Sequence, residues 1–257
     1  MGTRESVQVN TAERYHLIDS LRGMAIAGVV LYHLLYDIFH VYGRNPQWAQ
    51  QLYCRIWQEG TCFLFIAIAG FVWRLGGKSS LRRGLELNFL GLAITLITIL
   101  VIPSETIWFG ILNFMGCATL IAGACHPWAK KLPSVLGMLL GLAVFLTCRE
   151  LDNGFWGVAG IFTVAVPEAW YCTNWLTPLG LPPANFRSSD YFPLLPWFFL
   201  YLCGYFLGGV FADHPRWQRP LTRSLPVLDA IGRKALPIYL LHQPLCMLVC
   251  IIVFDLL

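Results

Sequence analysis

Residues 17–40 read LIDSLRGMAIAGVVLYHLLYDIFH. The block Leu21–Phe39 within them is apolar apart from a few ionisable side chains, and at about 1.5 Å per residue it is long enough to cross roughly 30 Å of hydrocarbon. Six further blocks of similar character follow: Ile56–Leu75, Leu85–Ile102, Ile107–Cys125, Leu132–Thr147, Leu194–Phe211 and Leu236–Phe254. The whole chain of 257 residues is 57% apolar and only 12% charged, with a mean hydropathy of +0.60. An average soluble domain is about half apolar and a quarter charged. This composition excludes an ordinary soluble enzyme, a disordered chain and a nucleic-acid module, and the net charge of +4 is too small for DNA binding. No run of alternating ten-residue segments signals an outer-membrane barrel. The expected fold is all-α: a polytopic membrane helix bundle of about seven transmembrane helices, a count taken from blocks of spanning length.

The domain plan is simple. Residues 1–16 form a polar tail, and 17–257 form one integral-membrane domain. Phe155–Tyr171 is apolar but carries Pro167, Glu168 and several glycines, so it reads as a lumenal or re-entrant segment, and 149–192 as extracytoplasmic or re-entrant. The first block has Asp19 and Arg22 at its mouth and no small-residue cleavage site behind it, unlike a signal peptide. Positively charged loops stay cytoplasmic. With the N-terminus inside, fourteen of the eighteen basic residues fall on inner segments: Arg4, Arg14, Arg22, Arg74, Lys78, Arg82, Arg83, Lys130, Lys131, Arg216, Arg219, Arg223, Arg233 and Lys234. An inside N-terminus and an extracytoplasmic C-terminus follow, in a multi-pass protein of the cytoplasmic (inner) membrane. The nine cysteines form no CxxC pair and read as small packing residues. Gly204 and Gly208 make a GxxxG suited to close helix contact.

Ionisable groups within a span cost roughly 2.5 to 3.5 kcal/mol each at the helix centre, so they are kept for pairing or function. At about 100° per residue, with Asp19 at zero, Arg22 falls near 300°, His33 near 320°, Asp37 near 0° and His40 near 300°. Five polar side chains thus share one stripe of the first helix. Such a stripe suits a helix lining a water-filled or ligand-filled groove. The bland alternative is a set of buried pairs that fix packing, Asp19 with Arg22 and His33 with Asp37.

Depth extends the pattern. His33 lies about 16 Å above Arg22 along the helix, in the outer half, at the level expected for Glu59 on the second span and Asn113 on the fourth. His242 and Gln243 fall in the inner half of the last span, just before Pro244, where a kink frees a backbone carbonyl. They either satisfy that carbonyl or join a polar path running from Arg22 to Asp190 at the outer mouth. Asn113 reads as path or interhelical glue, Glu59 as path or headgroup-level charge, and Asp190 as substrate contact or helix cap.

A histidine with a carboxylate one turn away is suited to proton abstraction. His33, Asp37, His40 and Glu59 are therefore the candidate catalytic residues. No compact metal motif, phosphate loop or nucleophile elbow occurs, and no metal is expected. A basic inner entrance with a base about 16 Å deeper suits a long ligand with an anionic head and a reactive tail, the shape of acyl-coenzyme A.

These residues carry a resemblance. Leu17-Ile18-Asp19-Ser20-Leu21-Arg22-Gly23-Met24, with His33 fourteen residues after Asp19, resembles the D-x-x-R-G…H opening of transmembrane acyltransferases. The cell-surface polysaccharide O-acyltransferases share it, with an Arg and a His separated by ten intervening residues, as Arg22 and His33 are. From about residue 14 to its end the chain also resembles bacterial kin of the lysosomal heparan-alpha-glucosaminide N-acetyltransferase. The matching motifs are Phe109-Gly110-Ile111-Leu112-Asn113, Asp190-Tyr191-Phe192-Pro193-Leu194-Leu195-Pro196-Trp197, and Ile231-Gly232-Arg233-Lys234-Ala235-Leu236-Pro237-Ile238-Tyr239-Leu240-Leu241-His242-Gln243-Pro244.

The resemblance implies acetyl transfer from cytosolic acetyl-CoA to an amine or hydroxyl of an extracytoplasmic acceptor, a glycan such as a glucosamine. It implies cosubstrate binding by Arg22, Arg82, Arg83, Arg233 and Lys234 at the inner mouth, with Asn113, His242 and Gln243 deeper. Asp190 and Trp197 would contact the acceptor. His33 is the first choice of base, oriented by Asp37 or Glu59, and His40 the second. Many bacterial relatives carry His where this chain has Asn113. The lysosomal branch has an amide at the position of His33, an acid at that of Glu59, and its catalytic histidine in the loop between, where this chain offers His40. The partners implied are acetyl-CoA, the glycan acceptor and the bilayer, with no nucleic acid and a homodimer allowed. A proton-coupled or small-anion transporter could use the same path, although the halves show no internal repeat, and a non-catalytic receptor would bind no coenzyme.

Overall fold

The computed structural model of the protein describes residues 15–76 and 80–256. The tail through Arg14, which includes Arg4, and the stretch 77–79 with Lys78 lie outside the described residues. In chain order the elements are α1 (His16–Tyr36), which continues as a π turn over Asp37–Val41, then α2 (Leu52–Gly76), α3 (Ser80–Val101), α4 (Ile111–Ala129) and α5 (Ser134–Thr147). A hairpin of β1 (Phe155–Val158) and β2 (Phe162–Ala165) follows, and the chain ends in α6 (Leu194–Asp213), α7 (Pro215–Gln218), α8 (Pro226–Arg233) and α9 (Ala235–Ile251).

Among the described residues six helices are long and apolar enough to cross a membrane: α1 through its π turn, α2, α3, α5 with the turns that carry it to Asn153, α6, and α9 with the turn that carries it to Asp255. They coincide with six of the seven blocks read from the sequence. The remaining block forms α4, whose 19 residues include Asn113, His126 and Pro127 and which does not belong to that six. The glycine-bearing stretch after residue 154 is no helix. Its two strands pair antiparallel, Phe155 opposite Ala165 and Gly157 opposite Thr163, and at Gly157, φ +135°, a Cβ would stand 2.2 Å from Phe162 O. The phenol of Tyr171 in the following turn donates to Leu151 O at 2.5 Å, and burial raises its pKa.

Residues of α3 show why these helices pack as they do. Leu85, Phe89, Leu92, Leu96 and Leu100, at helical spacing, are exposed, the face a bilayer would cover. Gly84, Asn88, Gly91 and Thr95 form the opposite stripe, turned to α4: a Cβ on Gly84 would meet Leu120, and one on Gly91 would meet Asn113. Large apolar groups outward and small or polar groups inward are the arrangement expected where lipid, not water, is the solvent.

The described residues divide into two compact units, 15–64 with 214–256, and 65–76 with 80–213. In the first, α1 packs on α8 and α9, and a cluster of Tyr32, Tyr36, Phe39, Trp48 and Trp57 around Cys54 closes the C-terminal end of α1. Tyr42 donates to Asp255 at 2.8 Å. That bond, together with burial and the carboxylate's charge, leaves the phenol's pKa pushed up to about 12. In the second, α3 pairs with α4 and α5 with α6. The GxxxG of α6 is a close helix contact, since a Cβ on Gly204 would stand 2.0 Å from Ala67 O and one on Gly208 2.7 Å from Phe71 O.

Candidate active site

The first unit is built on two glycines. A Cβ on Gly23 of α1 would lie 1.9 Å from Leu228 O, and one on Gly232 of α8 would lie 1.8 Å from Asp19 O. No other residue permits backbones this close, so the glycines of the first and last sequence motifs make one helix crossing. Around it the charges pair. Arg22 Nη1 donates to Asp19 Oδ1 at 2.8 Å, with the two side chains 20% and 8% exposed. On α8, Arg233 donates to Asp229, whose carboxylate also lies 3.4 Å from His16 Nδ1. Ser20 accepts the Leu225 N–H at 3.1 Å and donates to His16 O. Lys234 is exposed.

Higher on the same stripe, His33 meets His242 across α1 and α9, ring centroids 4.8 Å apart and edge to face. His242 Nδ1 lies 2.5 Å from Tyr239 O. A carbonyl can only accept, which assigns the proton to Nδ1 and leaves Nε2 of the neutral ring as an acceptor. That Nε2 is buried and has no hydrogen-bond partner among the described residues. The neighbouring Gln243 donates Nε2 to both oxygens of Asp37, at 3.1 and 3.3 Å, and Asp37 is 1% exposed. Gln243 Oε1 is likewise buried without a partner. Two acceptors on consecutive residues of α9 thus stand unpaired among the described residues, one on His242 beside His33 and one on Gln243 beside Asp37. Each costs about 1–3 kcal/mol in that state, recoverable by a ligand that brings N–H or O–H groups.

Glu59 is half-buried on α2. His40 is exposed: its Nδ1 lies 3.1 Å from Pro46 O and its ring against Tyr36. The cause is the π turn, where Tyr42 N–H bonds Asp37 O five residues back, so a constant 100° step no longer locates His40.

In the second unit the candidates hold structure together. Asn113 is buried on α4, its Nδ2 3.5 Å from Asn88 O on α3. Asp190 Oδ2 accepts the Ile111 N–H at 3.0 Å and so caps the start of α4. Ser188 brackets Trp108, accepting its N–H at 2.9 Å and donating to its carbonyl at 3.1 Å, while Phe192 N–H bonds Phe109 O. Phe109 is held at φ +52° by this clamp. Two motifs far apart in sequence, 109–113 and 190–193, are therefore one substructure. Tyr191 donates to Thr177 O at 2.5 Å, and burial raises its pKa. Trp197 packs at a tilt against Phe192 and Phe145, with the Arg149 guanidinium over its ring at 5.4 Å. Arg82 is exposed and paired with Glu86 at 2.7 Å, and Arg83 is exposed.

One cluster escaped the sequence reading. Trp73 and Arg74 on α2, His126 on α4 and Tyr205 on α6 converge, with His126 Nδ1 2.7 Å from the Tyr205 hydroxyl. Its only signal in the sequence was that Arg74 and His126 both fall at inner ends of apolar blocks.

A protein-family model described as heparan-alpha-glucosaminide N-acetyltransferase, catalytic, matches residues 14–244. No curated protein and no solved structure matches.

Proposed function

The chain belongs to the heparan-alpha-glucosaminide N-acetyltransferase catalytic family, and we propose that it is a multi-pass membrane acetyltransferase that moves acetyl from cytosolic acetyl-CoA to an amine or hydroxyl of an extracytoplasmic glycan. In this reading seven helices span the cell membrane, the N-terminus is cytoplasmic, and the segment 149–192 faces outward. The single observation that carries it is the pair of buried acceptors unpartnered among the described residues, His242 Nε2 beside His33 and Gln243 Oε1 beside Asp37. Amines and hydroxyls bring the donors these atoms lack.

The chemistry follows from those atoms. A neutral imidazole of the His33–His242 pair accepts the proton of the attacking N–H or O–H. The acceptor's nitrogen or oxygen bonds the acetyl carbonyl carbon, the thioester C–S bond breaks, and the leaving thiolate takes the proton up. Asp37 acts at one remove: by accepting the Gln243 N–H groups it turns Gln243 Oε1 toward the incoming donor. Arg22 and Lys234 belong to the proposed phosphate-holding set at the cytoplasmic mouth.

The test uses purified protein in nanodiscs, labelled acetyl-CoA, and acceptors bearing glucosamine or hydroxyls alone. Transfer to one class is expected, with a melting-temperature rise on acetyl-CoA binding. His33→Ala should lower turnover by at least about 10² if the base is lost; near-normal turnover in a folded His33→Ala protein would remove His33 from the reaction. Wild-type protein that neither binds acetyl-CoA nor transfers acetyl, yet moves labelled solute across proteoliposomes, would replace the enzyme with a transporter.

A further inference from the structure

The hairpin that follows α5 presents an apolar face outward. From Asn153 to Pro167 the chain has no ionisable side chain. The register sets Trp156 opposite Val164 and Val158 opposite Phe162, and these four share one face of the sheet, since side chains two apart on a strand point the same way. Trp156, Phe162 and Val164 are exposed, and Ile161 in the turn is 80% exposed. Trp156 and Phe162 meet edge to face with ring centroids 5.8 Å apart, so the face is one patch and not a scatter of single residues.

The root of the hairpin is fixed. Val166, Tyr171 and Leu176 pack on Cys148, Leu151 and Leu181, Val166 N–H bonds Gly154 O at 2.9 Å, and Phe155 N–H bonds Glu150 O at 3.0 Å. The helix of spanning length that begins at Ser134 runs to Asn153, and β1 opens at Phe155 and packs on α5. Leu139, Leu142 and Leu146 of α5 are exposed, the face that lipid would cover. Arg149, Glu150 and Asp152 stand between that face and the hairpin, charges that suit the level where a span reaches the headgroups. The apolar patch is thus tethered by a few residues to the point where α5 would leave a bilayer.

Water is a poor partner for such an element. A lone two-stranded hairpin is marginally stable in it, and contiguous exposed apolar patches mark interaction surfaces. We propose that the hairpin is an interfacial anchor: the face of Trp156, Val158, Phe162 and Val164, led by Ile161, beds into the boundary between headgroups and acyl chains of the leaflet that α5 reaches at Asn153. The tether to α5 holds the patch within reach of that leaflet, an indole suits the headgroup level, and a segment without charge offers a protein partner no electrostatic complement to read. Both outer edges of a two-stranded sheet carry outward-facing N–H and C=O groups. These bar the hydrocarbon core and set the depth at its boundary. The contact goes beyond the transfer reaction and holds whichever acceptor the chain uses.

The test places the full chain in phosphatidylcholine nanodiscs doped with one of two photoactivatable phosphatidylcholines, carrying the diazirine beside the headgroup or at the end of an acyl chain. After irradiation and digestion, adducts are mapped by mass spectrometry, with the exposed Leu92 and Leu96 of α3 as the internal standard for lipid contact. Peptides covering 155–165 should take the shallow probe in excess of the deep one. Ile161→Asp combined with Val164→Asp should lower that labelling about tenfold or more, the loss of two buried aliphatic side chains, and leave α3 labelling as it was. Hairpin peptides that neither probe labels while α3 is labelled overturn the anchor, as does labelling that the double variant leaves unchanged. Labelling by the deep probe in excess of the shallow one overturns the interfacial depth in favour of a re-entrant segment. Cross-links from the hairpin to a second, isotope-labelled copy in place of lipid adducts assign the patch to a dimer and overturn it too. Should the double variant fail to elute as a monodisperse protein, the wild-type labelling by the two probes decides alone.

Discussion

Gln243 is engaged at one end of its amide only: its N–H groups reach Asp37 while its oxygen has no partner. Removing the carboxylate by Asp37→Ala leaves buried amide donors unpaired and should cost about 1–3 kcal/mol of stability. Asp37→Asn keeps an oxygen that can accept from Gln243 and should cost less than half as much. Melting midpoints in detergent measure both. Identical behaviour of Asp37→Ala and wild type would show that this bond holds nothing in place. The helical stripe was legible in the sequence because periodicity reports which face a residue occupies. It correctly joined Asp19 to Arg22, and it put His33 and Asp37 on one face. It could not report neighbours on other helices, so the partners it suggested for His33 and Asp37 were each other, whereas each meets α9. The proton on His242 Nδ1 was equally out of reach, since only the position of Tyr239 O assigns it.

Helix crossings depend on the smallest residues. Gly23→Ala or Gly232→Ala drives a methyl group into a backbone carbonyl that cannot rotate away, at or beyond the upper end of the roughly 1–3 kcal/mol typical of overpacking. Gly60→Ala, whose Cβ would meet nothing within 4 Å, should leave the melting midpoint and the gel-filtration profile unchanged or slightly improved, as an alanine favours helix by up to about 1 kcal/mol over glycine. If Gly23→Ala melts like Gly60→Ala, the crossing of α1 and α8 is looser than 1.9 Å implies. At this scale the sequence specified six helices well, because long apolar blocks admit no other structure in lipid. It said less of α8, eight residues in a charged connection, and nothing of the hairpin at 155–165. Short elements are set by contacts, here the close approach at Gly157, and composition does not encode contacts.

The fate of α4 decides the topology of the whole chain. It has enough residues to cross, but it carries Asn113, His126 and Pro127 and is not among the six clear spans. If α4 crosses, seven spans put the connection from Arg216 to Lys234 on the side of the N-terminus, with fourteen basic residues sharing that side. If it does not, Arg216, Arg219, Arg223, Arg233 and Lys234 move to the opposite face, against the rule that short basic connections remain cytoplasmic. The polar groups of α4 need no water to be satisfied, since Asn113 bonds Asn88 O and His126 bonds Tyr205, so the cost of immersing them is largely met inside the protein. Two exposed native thiols report the outcome, Cys172 in the segment after the hairpin and Cys125 near the end of α4. With seven spans a membrane-impermeant maleimide applied to intact cells should label Cys172 and spare Cys125, and a phosphatase fused after Leu257 should be active. With α4 on the surface, Cys172 moves to the cytoplasm and the fusion falls silent. The charge distribution favours the first result.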